Sequence, residues 1–203
     1  MKSIKILALT GIAALMFGIC GCSSKTMLRD KNDDYLKPDE IKVGKTVRFG
    51  DYHGAEKWIV LDIDDGKAML ISKDVVDVKQ FDEDSHDWDK SDLRKWLNDK
   101  YFEDAFSDDE KECIVEEDDM VTILTQDEVK EYFEKNADRK AELTSYANKN
   151  ITTSDSYCGW WLRTPASSNQ KEYYVSRTGS ITRTNIDAYD VGVRPVIWVE
   201  IGE

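Results

Sequence analysis

Val191-Gly192-Val193-Arg194-Pro195-Val196-Ile197-Trp198-Val199 is the stretch on which the fold turns. Its near-continuous apolar character reads as a closing strand buried on both faces, since a strand with one wet face alternates instead. Working outward, Glu172-Tyr173-Tyr174-Val175-Ser176 and Ser180-Ile181-Thr182-Arg183 flank Arg177-Thr178-Gly179, a hairpin. Gly159-Trp160-Trp161-Leu162-Arg163-Thr164-Pro165 is a strand stopped by proline. At the other end, Lys45-Thr46-Val47-Arg48-Phe49 lies between Gly44 and Gly50, and strands over 57–63 and 67–72 are joined by Asp64-Asp65-Gly66, a tight-turn signal. Between these ends the pattern turns helical. Leu93, Trp96 and Leu97 share a face behind an Asp89 or Ser91 cap, and Ser107-Asp108-Asp109-Glu110 and Thr125-Gln126-Asp127-Glu128 are capping boxes. A brief strand is expected at 121–124 and a further helical stretch over 136–148. The class is therefore α+β, with N- and C-terminal antiparallel strands around several short helices. Trp96, Trp161 and Trp198 are expected in the core.

The first residues read as a targeting segment. Lys2 and Lys5 precede an uncharged apolar run that is slightly short for a membrane span. Ile19-Cys20-Gly21-Cys22 at its end resembles the bacterial lipobox. The resemblance implies cleavage after Gly21 and lipidation, palmitate included, at Cys22. The protein is then exported and anchored by lipid at the extracytoplasmic face of the cell membrane. An uncleaved signal anchor is the alternative, and Cys20 is a rival acceptor disfavoured by the bulky Ile19 before it. Residues 1–21 form the signal peptide, 22–40 a flexible polar tether, and 41–203 a single globular domain.

Composition narrows the function. The 203 residues carry 28 Lys plus Arg against 41 Asp plus Glu, a net charge of −13 that repels phosphate backbones and argues against nucleic-acid binding. No Gly-rich phosphate loop, Ser nucleophile elbow, His-Glu-x-x-His or Cys-x-x-Cys is present, and His53 and His86 are the only histidines. No catalytic residue, metal site or cofactor is assigned. Cys113 and Cys158 are two buried thiols or, in an exported setting, a permitted disulfide.

Several clusters have two readings. Residues 81–89 hold five carboxylates and one histidine, and Glu116-Glu117-Asp118-Asp119 is a second acidic run. Both are hard-oxygen sets suited to Ca²⁺, or solvated loops. Asp62-Ile63-Asp64-Asp65-Gly66 starts like an EF-hand loop, but Lys73 stands where the last acidic ligand is needed. Trp160, Trp161 and Trp198 offer surfaces for sugar rings or fill the core. Arg163 and Arg194 read as hydrogen-bonded struts. For ligand binding, the polar loops 167–171 and 185–190 bracket the C-terminal hairpin, and Arg177, Arg183 and Tyr189 there are the selected residues.

Six ordered blocks carry a resemblance: Gly44-x-x-Val47-x-Phe49-Gly50, Trp58-x-Val60-Leu61, Ala68-Met69-Leu70-Ile71-Ser72, Trp88-x-x-Ser91-x-Leu93-Arg94-x-Trp96-Leu97-Asn98, Trp160-Trp161-Leu162-Arg163-Thr164-Pro165 and Gly192-Val193-Arg194-Pro195-Val196-Ile197-Trp198. Together they resemble a bacterial family catalogued as domain of unknown function 6273, which brings no activity with it. The order of strands, helices, Trp-rich strand and Gly-x-Arg-Pro strand also resembles the C-type-lectin-like architecture of formylglycine-generating-enzyme relatives. Catalytic members of that group use two cysteines near the C-terminus. Only Cys158 lies in the last third here, so their oxidase chemistry is not expected. The leading expectation is a non-catalytic ligand-binding domain whose partner is an envelope glycan or protein. The alternative is an enzyme acting on cell-envelope polymers through acidic residues, and a third reading is a purely structural envelope protein.

Overall fold

The computed structural model describes residues 26–151, 155–168 and 170–202. Cys22 and the signal peptide fall outside them. The architecture is mixed α+β. Three long N-terminal strands, β1 (Thr46–Tyr52), β2 (Ala55–Asp64) and β3 (Lys67–Ser72), form an antiparallel meander. Asp65 and Gly66 both take positive φ (44° and 71°) at the β2–β3 turn, the conformation that a two-residue hairpin needs and that Asp-Gly tolerates.

A short β4 (Asp77–Val78) leads to the helical middle, built from α1 (Asp92–Trp96), a π-helical turn (Leu97–Tyr101), α2 (Phe102–Ala105) and α3 (Asp108–Lys111). Then come β5 (Ile114–Val115), α4 (Gln126–Tyr132), β6 (Ala141–Glu142) and β7 (Tyr157–Cys158). The chain closes with β8 (Trp160–Pro165), β9 (Lys171–Val175), β10 (Ile181–Asn185), β11 (Gly192–Val193) and β12 (Val196–Glu200). Ser91, Ser107 and Thr125 each cap a helix through the side chain, and Asp87 caps the single turn Trp88–Lys90. No described helix is long and apolar enough to cross a membrane.

Two five-stranded sheets result, in the orders β1-β2-β3-β12-β5 and β10-β9-β8-β11-β4. The first sheet is buried on both faces. Trp58, Val60, Leu70, Ile197 and Val199 point to one core cluster, and Leu61, Met69, Ile71 and Val196 to the other. Trp160 and Trp161, adjacent on β8, divide between the same two clusters. Each satisfies its indole N–H on a backbone carbonyl, Arg139 at 2.9 Å and Lys79 at 2.7 Å.

Four expectations change. The stretch 191–199 is not one strand: β11 belongs to the second sheet and β12 to the first. Pro195 has no N–H to continue a ladder, and the buried Arg194 spans the junction, giving Ser72 O hydrogen bonds of 3.0 Å from Nε and 2.9 Å from Nη2. Its guanidinium lies 4.8 Å from the Trp160 ring centroid, and burial pushes its pKa down to about 10.

The stretch 136–148 is not a helix. Ala141 and Leu143 alternate with polar neighbours, and the backbone there pairs with Tyr157–Cys158 and bridges to Val75, leaving only the turn Ala147–Lys149. The brief strand expected at 121–124 is a single bridge between Thr122 and Val196. The segment read as tether packs on the domain from Thr26 onward. Leu28 is fully buried, and Arg29 exchanges backbone hydrogen bonds with Arg48 on the β1 edge (3.0 and 2.8 Å). Charges on either side of Leu28 and Leu36 hide the two apolar anchors from a compositional reading.

Candidate functional site

A cleft of about 550 Å³ opens where the two sheets and the helical middle meet. Its floor is β12 and β3, with Trp198 directly opposite Met69 in register. Trp198 is only half-buried, as is Trp96; of the three tryptophans expected inside, Trp161 alone is fully so. The exposed part of Trp198 faces a hollow whose walls come from Trp88, α1, the loop 117–120, α4 and β8.

Two ion pairs stiffen those walls. Arg94 of α1 gives Asp119 Oδ1 a bond of 2.7 Å from Nε and one of 2.6 Å from Nη2. The Trp88 indole N–H donates to Asp119 Oδ2 at 3.1 Å, and Arg94 Nη1 donates to the Asp89 carbonyl at 3.0 Å. Asp119 thus accepts from both Arg94 and Trp88, with its side chain only 6% exposed. On the opposite wall Arg163 of β8 donates from Nε to Ile123 O (2.7 Å) and from Nη2 to Glu128 Oε1 (2.9 Å). Glu128 Oε2 meanwhile accepts from Thr125 N (2.6 Å) and Oγ1 (2.9 Å), so the capping box that starts α4 also holds the cleft arginine. Asn98 fastens α1 to the chain below: its amide donates to Arg94 O and Val121 O and accepts from Val121 N, at 2.9–3.0 Å.

Trp88 and Arg94 belong to one of the six sequence blocks, Arg163 to a second and Trp198 to a third. The strut reading of Arg163 and Arg194 matches their hydrogen bonds. Asp119 and Glu128 were hidden in an acidic run and a helix cap, and the signal that would have exposed them is an arginine-rich block with no sequence-local acid to pair with. Among the described residues no group of three or more His, Cys, Asp or Glu is placed to hold a metal ion. In the acidic loop 81–89, Asp82 is turned inward, accepting from the backbone N–H groups of Asp84, Ser85 and Asp92 (2.7–3.0 Å).

The residues selected on the hairpin are not brought together in this way. Arg177, at the β9–β10 turn, pairs with Asp155 at 2.5 Å and lines a separate hollow beside Tyr157 and Tyr174. Arg183 stands across from Tyr173 on β10, its guanidinium 5.6 Å from that ring and 3.2 Å from Ser167 Oγ. Tyr189 is 77% exposed on the following loop. Cys158, in the wall of the Arg177 hollow, is a buried thiol whose pKa burial raises to about 11; Cys113 lies in the other core cluster.

No curated protein and no solved structure matches the chain. The profile of the family described as Domain of unknown function (DUF6273) matches residues 65–122 and 116–201, a span that contains every residue of the cleft. The chain therefore belongs to the family known as domain of unknown function 6273.

Proposed function

We propose that this chain is an exported lipoprotein, held at the extracytoplasmic membrane face by lipid on Cys22, whose C-type-lectin-like domain binds an envelope glycan in the Trp198 cleft without transforming it. The carrying observation is the state of the cleft's anchored charges. Asp119 and Glu128 each accept several hydrogen bonds from fixed partners, and both guanidinium groups are engaged. Tied in this way, they hold the two walls in place and set the shape of the cleft. Carboxylates engaged in the walls favour binding over hydrolysis of an envelope polymer. The half-buried indoles and thioethers between the polar walls give the mixed lining on which sugar rings stack and hydrogen-bond.

The test uses the full-length protein in detergent as bait against envelope glycans and proteins, alongside Met120→Trp, which fills the cleft from its rim, and the triple replacement of Arg177, Arg183 and Tyr189 by Ala. Glycan capture is expected to fail with Met120→Trp and persist with the triple variant. The opposite pattern would move the site to the hairpin. Independently, Cys22→Ala is expected to abolish lipid labelling in cells, and labelling that survives it overturns the anchor.

A further inference from the structure

We infer that the cleft is built for a ligand bearing free amino groups, specifically a glycan that contains unacetylated amino sugars. This deepens the binding reading above and rests on it. Five carboxylates line the cleft against two guanidinium groups. Arg94 and Arg163 are each matched by a carboxylate within the walls, Asp119 and Glu128, so the two cations are neutralised where they stand. The surplus falls on Asp89, Glu117 and Asp118, all exposed at the mouth. Glu117 has only the partly exposed Lys67 at 3.3 Å, while Asp89 and Asp118 carry no ion pair among the described residues. Trp198 on the floor and Trp88 in the wall line the same cleft as these carboxylates. Carboxylates together with aromatic surface are the lining that attracts an ammonium group, through charge-assisted hydrogen bonds and cation–π attraction.

Geometry favours a glycan over a basic peptide. Strand addition, a common route by which a peptide binds a sheet, is closed here. Both edges of β12 are taken, by β3 on one side and by β5 and Thr122 on the other. The β8 strand is likewise flanked by β9 and β11, and Arg163 N is spent on Leu124 O at 3.0 Å. Recognition must then run through side chains, which suits rings carrying hydroxyl and amino groups. A second hollow of about 440 Å³ adjoins the first and shares Asp89, Arg94, Asp118, Asp119 and Met120 with it. Lys90 and Lys95 line that second hollow, which concentrates the negative surplus in the first. A chain molecule whose amino group sits beside Trp198 fits this distribution.

The decisive experiment titrates the full-length protein with three probes: a glucosamine tetramer, its fully N-acetylated counterpart and tetralysine, reading calorimetry and the change in total tryptophan emission. The glucosamine tetramer is expected to bind on the order of tenfold more tightly than either other probe, as one charge-assisted contact is worth. Its affinity should fall by a similar factor in Glu117→Gln/Asp118→Asn, whose exposed positions leave folding intact. Equal binding of the acetylated tetramer, lost in Met120→Trp, overturns the amino-group inference while leaving the glycan-binding reading in place. Tetralysine binding as tightly as the glucosamine tetramer overturns the glycan assignment and shows that charge alone is read. Binding of none of the three also overturns the inference, and the capture experiment above then decides the broader reading by itself.

Discussion

The cleft wall and the C-terminal hairpin hold similar side chains and use them in opposite ways. Arg94 and Arg163 in the cleft wall, and Arg194 at the sheet junction, are each tied to backbone carbonyls as well as to acids or rings, and they join elements distant in sequence. On the hairpin, Arg177 pairs with Asp155 while both side chains stay more than half exposed, and Arg183 reaches only Ser167 and the Tyr173 ring. The difference shows that an arginine's worth here is set by what its fork satisfies and how dry it is, and hardly by its net charge. A functional surface can then be assembled from residues whose first task is structural.

Three measurements would break or sharpen that contrast. The largest effect is expected from Arg194→Ala. It would strand the Ser72 carbonyl at the junction of the two sheets and open a void beside Trp160, for a loss of about 3–5 kcal/mol in denaturant unfolding. Lysine in its place is expected to recover little, because it lacks the planar fork. A loss below about 1 kcal/mol would remove the basis for separating the two regions.

Next comes Glu172, the hairpin's own buried exception. Its Oε1 accepts from Tyr173 N at 2.7 Å, its buried Oε2 has no partner, and burial pushes its pKa up to about 8 from 4.5. The folded state therefore holds the proton more tightly than the unfolded chain. Stability from this group is complete below about pH 4.5 and is lost as pH rises through about 8. Glu172→Gln is expected to flatten that dependence and to exceed the parent by roughly 3 kcal/mol at pH 9. Parallel melting curves for the two proteins from pH 5 to 9 would refute the assignment. The smallest effect is expected from Arg177→Ala: an exposed pair contributes at most about 1 kcal/mol, and salt should erase it. A larger loss that persists in high salt would show the turn to be a structural joint like Arg194.

Much of the fold was legible because local chemistry agreed with the final packing. The β2–β3 turn followed from Asp-Gly, and α3 and α4 begin at the capping boxes of Ser107 and Thr125. What stayed illegible was set by distant partners. Nothing near Arg194 in sequence says that its donors end on Ser72, or that Pro195 passes the chain to another sheet. Leu28 and Leu36 look like strays in a charged segment until β1 is present to receive them. Of the cleft residues, Arg163 as a strut and Trp198 as an aromatic surface stand out in the sequence, and nothing there brings them together. Residues 116–119 read as a wet acidic run because the partners of Asp119, Arg94 and Trp88, are 25 and 31 positions away. Arg177, Arg183 and Tyr189 stand out in sequence because they lie on or beside polar loops and offer large area or forked hydrogen bonding, and that criterion finds surfaces without finding convergence.

The position of β12 has a consequence for how the molecule is made. It is the last strand in chain order, yet it lies inside the first sheet, between β3 and β5. A ribosome delivers the chain from its N-terminus, so β1, β2 and β3 emerge as a meander with one edge vacant while the strand that covers it is still unsynthesised. Leu70 and Ile71, fully buried in the finished protein, have no cover on that side until residues 196–200 arrive. Closure of the first sheet therefore waits until residues 196–200 have been made, and the meander that precedes them is held by its own hairpins alone until then.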